Sequence, residues 1–248
     1  VLRKLPDVLR ASKFSVKCVV RVTPDDMFVY DIFDSKEDVV MGGLAVDIGT
    51  TTVSAVIIDM ATGEILAKSS SGNGQIRYGA DVINRIIETT KPGGIKKLQD
   101  AVIKETINPM IHEMCRSIHF PESQIYRMCV ASNTTMNHLF AGINSDPLRT
   151  EPYIPAFFKT NSLFASDVGI DINKDAHIIM APNIGSYVGG DITAGTLVSM
   201  IWNRPEFSLF IDLGTNGELV FGNSDLMMSC ACSAGPAFEG GDISCGMR

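Results

Sequence analysis

The phrase "VDIGTTTVSAVIID" at residues 46–59 returns in altered form as "IDLGTNGELVFGN" at residues 211–223. Each copy runs an apolar strand into Asp, a variable residue, Gly and Thr, and then into a second apolar strand. Gly49 and Gly214 permit tight backbone turns, and such turns leave amide hydrogens free. One Asp-Gly alone would be a hairpin signal and nothing more. Two matched copies separated by helical sequence point to facing turns that clamp a single anion.

That reading assigns candidate residues. Asp47 and Asp212 close their strands, where a hydrated Mg²⁺ bridging phosphate oxygens needs one or two carboxylates. The hydroxyls of Thr50, Thr51 and Thr215 can donate to phosphate, and Gly49, Thr52, Gly214 and Asn216 complete the two turns. Asp191 follows Gly189 and Gly190 at the mouth of a helix, which suits either a carboxylate that holds Mg²⁺ or orients water, or an N-cap. Asn133 and Thr134 end a strand and start a helix, a position for ligand contact or for capping. In "QIRYGADVINRI", Arg77 can meet a phosphate or a partner's carboxylate, or belong to an exposed helix face. His112, His119, His138 and His177 show no metal-binding spacing.

The 248 residues are 45% hydrophobic and carry a net charge of −7, enough apolar material for a packed core. The charge argues against general affinity for nucleic acid or anionic membrane. No apolar run reaches the roughly 20 residues of a membrane span, and "VLRKLPDVLR" lacks a signal-peptide pattern, so the cytoplasm is the expected location. Six dispersed cysteines without zinc spacing read mainly as buried thiols. A start at Val1 and an end at "ISCGMR" suggest an excerpt.

Residues 16–33 read as two β-rich runs about a Pro-Asp-Asp turn, and residues 1–40 as the remnant of a preceding α+β domain. Antiparallel strands are expected at about 44–47, 53–59 and 64–69, then a helix in "GADVINRIIETT" and another over 95–118 that Pro109 kinks or divides. "IYRMCVASN" reads as a strand feeding the helix "TMNHLFAG". Residues 144–176 read as mostly irregular, an insertion or lid. The strand "HIIMAP", the turn "NIGSYVGGD" and the helix "ITAGTLVSMIW" precede the second Asp-X-Gly-Thr copy.

This arrangement resembles the superfamily of acetate and sugar kinases, heat-shock chaperones and actin. The resemblance implies an α/β, actin-like fold of paired ribonuclease-H-like subdomains around an ATP cleft. More specifically, "GLAVDIGTTTVSAVIIDMATGEIL", "NGQIRYGADVINRI", "ASNTTMNHLFAG", "SYVGGDITAG" and "CSAGPAFEGG" are similar to the ATPase domain of reductive activators of corrinoid proteins. That family implies an ATP-dependent, Mg²⁺-dependent enzyme driving Co(II) to Co(I) in a corrinoid protein of a methyltransferase system. It adds Gly190 and Gly235 to the nucleotide contacts. It also implies a 2Fe–2S domain upstream of this chain, a middle domain whose tail is residues 1–40, and a homodimer in the intact protein. Residues 41–202 are then the first ATPase subdomain and 203–248 an incomplete second, since only 36 residues follow Asp212. Three alternatives stand beside it: a small-molecule kinase, a nucleotide-gated binding module, and an activator of 2-hydroxyacyl-CoA dehydratases with Cys232 as a cluster ligand.

Overall fold

Period-two alternation of buried residues organises the centre of the molecule. In a computed structural model that describes residues 1–160 and 163–233, six strands form a mixed sheet. They are β3 (Gly42–Ile48), β4 (Thr52–Asp59), β5 (Ile65–Gly72), β6 (Ile125–Ser132), β7 (Leu163–Phe164) and β8 (His177–Met180), in the order β5-β4-β3-β6-β8-β7. The tight connections make β3, β4 and β5 antiparallel, whereas β6 and β8 run parallel to β3 through helical crossovers.

Leu44, Val46, Ile48, Val53, Ala55, Ile57, Met128, Val130, Ile178 and Met180 point to one face and are buried there. Three helices supply the other side of that core: α3 (Gly94–Val102), α4 (Asn108–Ser117) and α5 (Thr134–Ala141). Each fully buried Ile or Leu of this layer contributes roughly 1.5–3 kcal/mol. The long apolar stretch over 95–118 does not stay one helix. A π-helical turn at Ile103–Ile107 lies between α3 and α4, directly ahead of Pro109, whose missing N–H and ring deny it an ordinary helical interior. Shorter helices complete this half: α2 (Val82–Thr89), capped by Asp81 Oδ1 accepting from the Asn84 amide at 2.8 Å, and α6 (Ala165–Val168).

The sheet's second face carries the odd-numbered residues Ala45, Asp47, Cys129, Ala131 and Ile179, and α7 (Gly190–Ser199) packs against β6 there. On the far side of α7 stands a second, three-stranded antiparallel sheet in the order β11-β10-β9: β9 (Ser208–Leu213), β10 (Asn216–Gly222) and β11 (Met227–Ser233). Val188, Ile192, Phe210 and Val220 form a small core between α7 and this sheet. The amino-terminal unit is α1 (Leu5–Ala11) on the hairpin of β1 (Val16–Val22) and β2 (Met27–Asp34). It meets the main sheet where Tyr126 packs on Tyr30 and donates to Asp31 at 3.3 Å.

Cysteine burial departs from expectation. Of the described cysteines only Cys115 is buried; Cys18, Cys129, Cys230 and Cys232 are exposed. These four lie on strands, Cys18 on β1, Cys129 on β6, and Cys230 and Cys232 on β11, where packing leaves their side chains open to solvent, so local apolar composition misplaces them; Cys245 lies outside the described residues. Among the described residues no helix is long and apolar enough to cross a membrane.

The segment 144–176 is irregular over 149–160, as its prolines require, but then supplies β7 and α6, and its irregular part is tied down. His138 of α5 is fully buried, donates from Nδ1 to the Thr134 carbonyl at 2.7 Å, accepts from the Ala156 amide through Nε2 at 3.0 Å, and stacks on Phe157. This pattern requires the neutral ring, and burial lowers the imidazole's pKa despite the Thr134 bond. A lowered pKa means that the unfolded segment binds the proton first, so stability is complete above about pH 6.5 and is lost as the pH falls further. Hydrogen exchange over residues 150–158 of the intact protein, corrected for intrinsic rates, is expected to lose protection below pH 6.5, and His138→Gln to remove that pH dependence.

Candidate functional site

Strand alternation sends Asp47 out of the core and toward α7, because Val46 and Ile48 take the buried face. Asp191 lies in the first turn of α7, with Gly189 as the N-cap residue in place of Asp191 itself. A Cβ on Gly189 would stand 2.4 Å from the Asn133 Cα, so only glycine lets this helix start against the β6–α5 junction. Asp212 shares its face of β9 with Phe210, whose ring packs over Gly195 of α7. Three carboxylates from three layers therefore surround one space.

That space is a cavity of about 320 Å³ lined by Asp47, Gly49, Thr50, Thr51, Thr52, Asn133, Asp191, Asp212, Gly214, Thr215, Asn216 and Glu218. The two Asp-X-Gly-Thr turns meet at its mouth, with Thr51 Oγ1 3.2 Å from Thr215 Oγ1 across 164 residues of chain. In the first turn the Gly49 amide donates to the Thr52 carbonyl at 2.9 Å, and a Cβ on Gly49 would press that same oxygen at 2.6 Å. The Asn133 side chain serves both turn and helix: Oδ1 accepts from the Met136 amide at 2.9 Å to cap α5, and Nδ2 donates to Thr50 Oγ1 at 3.1 Å.

Crowding shows in the acids. Burial, then the charges of Asp47 and Asp212, push the Asp191 carboxyl up to about 6. Glu218 is pushed up to about 7 by burial and then by Asp191 and Asp212, and Asp47 is raised by burial and by Asp212. Among the described residues the cavity's lining contains four carboxylates and no lysine or arginine, a chemistry that suits a cation.

Of the expected residues, Thr134 and Gly190 stand behind the cavity instead of lining it. Thr134 Oγ1 donates to the Gly185 carbonyl at 2.5 Å, and Gly190 packs under Ala181. Arg77 bonds to Glu105 and lies over the Tyr78 ring, and Asp81 caps α2, so neither faces the site. Gly235 lies outside the described residues.

Sequence reasoning missed Glu218, although its signal was available. A hairpin over "IDLGTNGEL" pairs Glu218 directly with Asp212, on one face of the sheet. A second cavity of about 400 Å³ shares Asn133, Asn216 and Glu218 with the first and extends past Tyr187 to Cys232.

Comparisons with known proteins agree with this architecture. The family model for the "RACo middle region" matches residues 42–204, and that for the "C-terminal domain of RACo the ASKHA domain" matches residues 206–248. The corrinoid activation enzyme RamQ of Eubacterium limosum is 35% identical over 207 residues, 83% of this chain and 34% of that protein. The [Co(II) methylated amine-specific corrinoid protein] reductase of Methanosarcina barkeri is 28% identical over 220 residues, 84% of this chain and 39% of that one. A solved structure described as a reductive activator for corrinoid,iron-sulfur protein superposes with a TM-score of 0.87 and 42% identity, covering all of this chain and 39% of its own. The chain thus spans between a third and two fifths of the length of these relatives. Its mixed α/β fold with a second sheet carrying the repeated turn is that of the ASKHA domain, and the chain belongs to the RACo family.

Proposed function

We propose that this chain is the nucleotide-binding part of an enzyme that uses ATP to drive the cobalt of a corrinoid protein from Co(II) to Co(I). The observation that carries the reading is the convergence of the two Asp-X-Gly-Thr turns over Asp47, Asp191 and Asp212, in a chain of the RACo family. Residues 41–202 serve as the first ATPase subdomain, with 144–176 inserted, residues 203–248 begin the second, and residues 1–40 belong to a preceding unit. The intact protein works as a cytoplasmic homodimer.

The triphosphate lies between Gly49–Thr52 and Gly214–Asn216, with the turn amides and the Thr51 and Thr215 hydroxyls as donors. Among the described residues no three Asp, Glu, His or Cys side chains converge to hold an ion by themselves, which fits Mg²⁺ held by Asp47 and Asp212 through water and phosphate. When bound, Mg²⁺ supplies the positive charge that this acidic pocket lacks. Asp191 and Glu218, the two lining carboxylates not assigned to Mg²⁺, are the groups available to orient a water and take its proton as it attacks the γ-phosphorus, the bond to the β-phosphate oxygen breaks and ADP leaves.

The reduction itself adds one electron to Co(II). The described cysteines are spread over β1, α4, β6 and β11, and Cys245 lies outside the described residues. In this reading the electron reaches cobalt from the 2Fe–2S centre expected of the family, in sequence outside this chain.

Two outcomes test the reading. The intact protein, mixed anaerobically with a Co(II) corrinoid protein, a reductant and Mg-ATP, is expected to form Co(I) only with ATP. Asp47→Ala and Asp212→Ala should each weaken Mg-ATP binding by about tenfold or more. Unchanged binding in both variants removes the site assignment.

A further outcome concerns protons. Mg²⁺ stabilises the charged carboxylates and so lowers raised pKa values of about 6 and 7. Binding of Mg-ATP at pH 6.5 should therefore release on the order of one proton, and affinity should rise from pH 5.5 to 7.5 and then level. Calorimetry in buffers of different ionisation enthalpy measures the release, and Glu218→Gln should remove most of it.

A further inference from the structure

Behind the first turn lies a buried polar layer that the clamp itself does not explain. Arg85 of α2 is fully buried. It donates from Nε to the Gly79 carbonyl at 2.9 Å, from one terminal nitrogen to Gln75 Oε1 at 3.2 Å and Met136 Sδ at 3.3 Å, and from the other to the Thr50 carbonyl at 2.5 Å. All four acceptors are neutral. A buried guanidinium with only neutral partners is costly, and Asp81 offsets that cost only through space.

The same layer fixes the direction of the turn. The Gly49 carbonyl accepts from Asn73 Nδ2 at 2.9 Å, the Thr50 carbonyl from Arg85, and the Thr51 carbonyl from the Asn73 amide at 2.8 Å. Three successive carbonyls therefore point into the protein. In a trans peptide the N–H points opposite to the C=O, so the amides of Thr50, Thr51 and Thr52 point toward the cavity that these residues line. Met136, which Arg85 also touches, donates its amide to Asn133, so one buried cation braces both phosphate-facing elements of this half.

We propose that Arg85 is a positioning residue for the nucleotide: it holds the first turn with three amides facing the cleft, and its charge, which no carboxylate meets directly, favours polyphosphate through that turn. The inference rests on the reading of the two turns as an ATP clamp. A charge acting at this range distinguishes ligands by how many phosphates they carry, which a merely structural prop would not do.

The test is equilibrium binding of ATP and AMP, each with Mg²⁺, to the intact protein. Arg85→Gln is expected to weaken ATP binding on the order of tenfold and AMP less than twofold, whereas Arg85→Lys keeps the ratio of ATP to AMP affinity. Gln75→Glu leaves every Arg85 donor in place and sets a carboxylate beside it. It should reproduce the ATP-selective loss, and it decides the matter alone where Arg85→Gln does not fold. Equal losses for ATP and AMP, or no loss with Gln75→Glu, overturn the role of Arg85. ATP binding that Asp47→Ala abolishes while these variants leave the ATP to AMP ratio unchanged overturns only Arg85. Absence of ATP binding by the unaltered protein overturns the clamp as well.

Discussion

Everything in this molecule depends on bringing two hairpin turns from two different sheets into contact above a group of like charges. The Thr51–Thr215 approach joins segments that share no local sequence constraint, and the carboxylates beneath it repel one another. The scaffold absorbs that repulsion. A rigid core on one face of the large sheet holds Asp47, and α7, wedged between the sheets, holds Asp191. The small core of Val188, Ile192, Phe210 and Val220 holds Asp212 and Glu218 in register. An electrostatically unfavourable arrangement maintained by packing elsewhere is what a site built for a cation and an anion requires.

The layer behind the first turn extends the same logic. For the first turn to offer its amides to a phosphate, as proposed, its carbonyls need partners on the opposite side, and Asn73 and Arg85 supply them. Asn137 and Asn183, bonded at 2.7 Å, and His138 with Ala156 link α5 to the segment at 144–176 and to the loop before α7. The cleft's floor, its first turn and the irregular segment thus form one hydrogen-bonded body, in which movement at one part strains the others.

Much of the fold was legible because its determinants are local. Turn glycines, alternating strands, the Asn133 cap and the Pro109 break each act within a few residues. The doubled turn pointed to the candidate site, and the structure brings its two copies together at one cavity. What stayed hidden is what long-range packing decides. Nothing local in "INRI" marks Arg85 as buried, since only tertiary contacts set Thr50 and Gln75 beside it. The cysteines fail for the converse reason: strand residues with apolar neighbours stay exposed where tertiary packing leaves them uncovered. Glu218 lies between, readable from register once the hairpin is drawn but invisible to a search for motifs.

The central claim is that both turns grip one polyphosphate. A crystal structure of the intact protein with Mg²⁺ and a non-hydrolysable ATP analogue tests it most directly. The account predicts the β- and γ-phosphates between Gly49–Thr52 and Gly214–Asn216, with the ion facing Asp47 and Asp212. A triphosphate bound elsewhere, or touching only one turn, would contradict it.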